Sequence, residues 1–68
     1  MKSTRLERSN AAHRKLRNNY NFIPGKAADV KFYYHNEVID RQLKSGRVLS
    51  KSERSKVYKT ISDKVYSR

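Results

Sequence analysis

Two histidines, two carboxylates one turn apart and a large excess of lysine and arginine are the groups in this chain that could do chemistry. His13 and His35 are far apart in sequence. No His pair has metal-ligand spacing, no HExxH occurs, and no glycine-rich loop is present to cradle a phosphate. Glu37 and Asp40 could divide acid and base roles only if burial separated their pKa values. Arg41 and Lys44 stand beside them, so surface ion pairs account for both. His35 borders the apolar residues Phe32 and Ile39 and reads as a core histidine. The expectation is a non-enzymatic protein with no catalytic set, no metal and no cofactor.

The charge points elsewhere. Seventeen Lys and Arg against six acids give a net +11 over 68 residues. Such an excess repels itself in a compact monomer and favours binding to polyanions. The charge is also unevenly spread. Residues 1–26 carry seven basic residues and one acid, residues 27–44 carry three of each, and residues 45–68 carry seven and two. A neutral centre therefore lies between two basic flanks.

The candidate phosphate contacts follow from that division. The first flank offers Arg5, Arg8, Arg14, Lys15 and Arg17, and the second Arg47, Lys51, Arg54, Lys56, Lys59 and Lys64. Beside the lysines of the second flank stand Ser52, Ser55 and Ser62. Small hydroxyls let a backbone come close and donate to phosphate oxygens, while lysine supplies charge. Aromatic rings among cations can stack unpaired bases. Tyr20, Tyr33 and Tyr66 are the stacking candidates, whereas Tyr34 and Tyr58 are expected to close the core with their hydroxyls in water.

Three helices must position these groups. Ser50-Lys51-Ser52-Glu53 fits a capping box, and Val57, Ile61 and Val65 then repeat at helical spacing. That predicts a helix over about 51–67, with Val48 and Leu49 placed as a hydrophobic staple. Pro24-Gly25 marks a turn, and Gly46 is placed to end a helix. Between them, 27–44 groups Ala28, Phe32, Ile39 and Leu43 on one side. Ala27, Val30, Tyr34 and Val38 form a second stripe. A helix with two apolar stripes must be covered on two sides, by the flanks or by another copy of the chain. The run Val30 to Tyr34 also suits a strand, but no second strand-like run exists to pair with it. Residues 4–20 form the third expected helix, capped by Ser3 or Thr4. Its apolar face, Leu6, His13, Leu16 and Tyr20, is thin. Two states stay open for it: docked on the rest of the chain, or ordered only on a partner.

The expected architecture is all-α, one small domain with a basic segment at 1–26 and a helical hairpin core at 27–68. Large aliphatics and Phe make up about a fifth of the chain, so the core is small. A helix-turn-helix reader fits poorly. The connection around Gly46 is too long, Ser52 and Ser55 stand where apolar residues should, and few side chains suited to base edges face outward.

The stretch STRLERSNAAHRKLRNN, with Arg5, Arg8, Arg14, Lys15 and Arg17 among Ala11 and Ala12, is similar to the arginine-rich RNA-binding helices of lambdoid phage antitermination N proteins. The likeness covers a quarter of the chain, and the arginine clusters are interrupted here. It implies RNA as a ligand and folding on binding.

The function these features predict is nucleic-acid binding, to DNA or RNA, through backbone contacts with little sequence preference. A phage or viral accessory or packaged protein, or a ribonucleoprotein subunit, suits this description. The alternative is an inhibitor or adaptor that sets the same basic surface on an acidic protein partner. A homodimer or larger assembly stays open. With no Cys, no apolar run near the roughly 18 residues of a membrane span and no signal-peptide core after Met1, the expected location is the cytoplasm or the interior of a virion or ribonucleoprotein.

Overall fold

A computed structural model of the chain describes residues 4–67. They form three helices: α1 (Arg5–Asn19), α2 (Lys26–Ser45) and α3 (Lys51–Tyr66), with no strand among the described residues. The all-α expectation holds, with each boundary within a residue of its predicted place.

Local chemistry explains each end. Thr4 caps α1, its Oγ1 accepting the Glu7 backbone N–H at 3.1 Å. Ser3, the other expected cap, lies outside the described residues. Gly25 precedes α2 at φ 112, and Gly46 ends it at φ 71 with its N–H bonded to the Gln42 carbonyl. Both values favour glycine, because a Cβ would clash with the neighbouring carbonyl. The α3 capping box is complete: Ser50 Oγ accepts the Glu53 N–H at 3.2 Å, and Glu53 Oε1 accepts the Ser50 N–H at 3.1 Å. Arg47 adds a fork to the same carboxylate, with both nitrogens 2.8 Å from the Glu53 oxygens. These bonds hold the Glu53 pKa down at about 2, with Arg47 the main cause.

α2 is the central helix. α1 and α3 pack against it, and their backbones do not meet. The result is a flat row, 42 × 25 × 17 Å, with a radius of gyration of 12.4 Å. A compact chain of this length would measure about 11 Å. The two stripes of α2 thus find cover on two sides, as their width requires.

The two seams differ in character. Between α2 and α3, Val38, Leu49 and Val57 form an apolar cluster with Tyr34 and Ile61 against it. Leu49 therefore packs on Val57, and the staple position on α3 is taken by Arg54. The seam with α1 is polar at its centre. Gln42 is fully buried and Asn10 is nearly so. The Gln42 amide donates to Asn10 Oδ1 at 2.8 Å and to Ser9 Oγ at 3.2 Å, and its Oε1 accepts the Leu49 backbone N–H at 3.1 Å. One side chain thereby joins α1, α2 and the connection into α3.

α1 docks through most of its expected face, with Leu6, His13 and Tyr20 half-buried. Asn10 is the buried residue of α1, while Leu16 is 42% exposed. Leu43, placed in a buried stripe by its spacing, is 62% exposed. Ala27 is exposed as well.

Replacing Gln42 with Leu removes the amide and leaves Asn10 and the Leu49 N–H without partners. Urea unfolding is expected to register a loss of about 3 kcal/mol. Ser55→Ala, on the exposed side of α3, is expected to stay within about 0.5 kcal/mol. Equal midpoints for the two variants would contradict the role given to Gln42.

Candidate nucleic-acid interface

The helical spacing of α3 sets Lys51, Ser55 and Tyr58 on one flank, each three or four residues from the next. Arg54 lies at the edge of that flank, toward α2. Across from them α2 supplies Tyr34, half-buried. Tyr34, Lys51, Arg54, Ser55 and Tyr58 line an open groove of about 320 Å³. Among the described residues no acidic side chain lines it.

The floor of the groove continues into a row of rings. Tyr58 meets Tyr34 edge to face, with centroids 5.3 Å apart at 71°. Tyr34 touches His35 at 4.9 Å and His13 at 6.3 Å, also edge to face. His35 then lies nearly parallel to Tyr20, 6.3 Å away. The row crosses from α3 over α2 to α1 and ends where Lys31 stands over the Tyr20 ring at 5.3 Å.

The two histidines are far apart in sequence, yet their Nδ1 atoms lie 2.8 Å apart. One nitrogen must donate and the other accept, so the contact cannot survive with both rings charged. Burial lowers the pKa of His13 first, and the Arg54 guanidinium lowers it further. His35 is pushed down to about 4 by burial, then by His13 and Lys31. Both rings are therefore neutral at neutral pH. Burial raises the Tyr34 pKa, with Arg54 opposing.

The ion pairs gather away from the groove. Glu37–Arg41, Asp40–Lys44 and Glu53–Arg47 are the three among the described residues. They neutralise the second half of α2 and the connection after it. A second groove beside them, lined by Arg41, Lys44, Arg47 and Glu53 with Ser45 and Leu49, has mixed charge.

The sequence candidates separate accordingly. Lys51 and Arg54 come together in the groove. Lys56 and Lys59 are exposed on α3, and Lys64 lines a different hollow with Tyr33, Asn36, Glu37, Ile61 and Val65. Arg47 is engaged by Glu53. Arg5, Arg8, Arg14 and Lys15 lie along α1 and do not line the groove. Arg17 donates to Asn36 Oδ1 at 3.0 Å, which ties it to α2. All three stacking candidates already have intramolecular company: Tyr33 meets Phe32 edge to face, with centroids 5.4 Å apart. Tyr20 lies between His35 and Lys31, and Lys26 stands over the Tyr66 ring at 5.9 Å. Tyr58, expected in the core, is 43% exposed at the groove edge. Its spacing from Lys51 and Ser55 was the signal available in the sequence.

Among the described residues no group of three His, Cys, Asp or Glu could hold a metal ion, and no helix is long and apolar enough to cross a membrane. No family model, curated protein or solved structure matches the chain.

The histidine pair carries a pH dependence. Unfolded histidines titrate near 6.5, while the folded His35 titrates at about 4 and His13 below its ordinary value. Between those limits the unfolded chain binds more protons, so stability rises with pH. The contribution is complete above 6.5 and is lost as pH falls toward about 4. Thermal unfolding across this window is expected to give a falling Tm on acidification. A His13→Gln/His35→Gln variant should have a flatter profile. Parallel profiles for the two proteins would contradict the assignment.

Proposed function

We propose that this protein is a small, non-enzymatic nucleic-acid-binding protein that works by charge neutralisation, with little sequence preference. The observation that carries the reading is the segregation of charge. Arg41, Lys44 and Arg47 are matched to acids, whereas Lys51, Arg54, Lys56, Lys59 and Lys64 of α3 and Arg14 and Lys15 of α1 form no ion pair among the described residues. These cations remain available to displace counterions from phosphates. Ser52 and Ser55, exposed beside them, are short enough to let a phosphate backbone approach. The same charge density fits a component packaged with nucleic acid or held in a ribonucleoprotein.

Salt dependence tests this directly. With the five cations of α3 engaged, affinity for a labelled oligonucleotide should fall about 10²-fold over a fourfold rise in salt. Absence of binding at low salt, or binding indifferent to salt, would overturn the proposal. Recovery of the protein from its source with and without nuclease separates nucleic acid from an acidic protein partner. Co-purifying protein that survives nuclease would favour the partner.

A further inference from the structure

We propose that the groove between α2 and α3 is a binding site for an unpaired nucleotide within a single strand, with the base on Tyr58 and the phosphate on Lys51 and Arg54. The proposal rests on the nucleic-acid reading above and gives it a place and a strand preference.

Three observations meet at this groove. The first is charge: Lys51 and Arg54 line it, and among the described residues no acid does. The second is an available ring. An edge-to-face contact lets Tyr34 cover at most one face of Tyr58, and the residue is 43% exposed. Tyr20 and Tyr66 differ in that a lysine of the protein stands over each ring. The third is spacing. Lys51 and Tyr58 lie two turns apart on one helix flank, about 10 Å along the axis, with Ser55 between them. A nucleotide spans a similar length from phosphate to base, and the Ser55 hydroxyl can donate to a phosphate oxygen in between.

A single strand suits this site better than a duplex or an acidic peptide. Bases in a duplex are stacked on one another and present no face to a side chain. A carboxylate peptide would use the cations but has no flat ring for Tyr58. Stacking is tolerant of base identity, which agrees with weak sequence preference.

The groove also reports on its own occupancy. Arg54 depresses the His13 pKa from across the row of rings. A phosphate held on Arg54 would offset that field, so His13 should titrate at a higher pH when the groove is filled.

The test uses the full chain and two labelled probes, a thymidine oligomer of about 12 nucleotides and a duplex with the same number of phosphates. The single strand should bind at least about tenfold more tightly at equal salt. Tyr58→Ala should weaken single-strand binding about 10- to 100-fold, the scale of one lost stacking contact, and leave duplex binding nearly unchanged. Tyr58→Phe should retain binding. Ser55→Leu fills the groove from an exposed helical position and should mimic Tyr58→Ala, which covers the case in which Tyr58→Ala unfolds. Lys56→Gln, on the opposite side of α3 and not lining the groove, should weaken both probes alike. The His13 signal should shift with the thymidine oligomer in the parent protein and not in Ser55→Leu. The site is overturned if both probes bind and neither groove variant changes the preference, or if a polyglutamate peptide of matched charge binds as tightly and moves His13 equally. If neither probe binds, the functional reading itself fails.

Discussion

The fold depends on the satisfaction of one buried amide. Gln42 has no contact with solvent, and its two polar atoms reach three residues: Ser9 and Asn10 of α1, and the backbone of Leu49 ahead of α3. A buried amide without partners costs about 1–3 kcal/mol, so this arrangement admits little freedom in how α1 docks. The apolar core alone would be less specific. Its buried members are mostly alanine and valine, with one Ile and one Leu, and such side chains fit several registers. The amide supplies the register.

That docking determines what the rest of the surface can do. With α1 set by Asn10, His13 arrives against His35 and the row of rings closes across α2. Arg54 is left facing that row, beside Lys51 and Tyr58. Glu37 and Asp40 of α2 meanwhile pair with Arg41 and Lys44 one turn along. Helix phase thus places these ion pairs, and one polar seam places the rings. Self-repulsion among the remaining cations opposes the compact state, and a polyanion would relieve it.

Much of this was legible in the sequence, and the failures have a common cause. The capping box at Ser50 and Glu53, the glycine after α2 and the Val57, Ile61 and Val65 repeat are local signals, and local signals set the helices. Two apolar stripes on α2 correctly required two neighbours. Hydrophobic periodicity is blind to a polar core, however, so Asn10 and Gln42 went unseen and Leu16 and Leu43 were placed inside. The histidine pair and the lysines over Tyr20 and Tyr66 join residues distant in sequence, with Lys26 and Tyr66 at opposite ends of the described helices. No spacing rule reaches such contacts. For the candidate interface, the cationic flanks were visible as composition. Which cations share a groove with an exposed ring was decided by the packing of α2 on α3.

Chemical-shift mapping of the backbone amides, as a single-stranded oligonucleotide is added at low salt, is the most direct measurement of the central claim. The account predicts that the largest changes fall on Lys51, Arg54, Ser55 and Tyr58. The amides around the ion-paired Arg41 and Lys44 should stay still. Changes centred on Arg41 and Lys44, or spread evenly over all three helices, would contradict it.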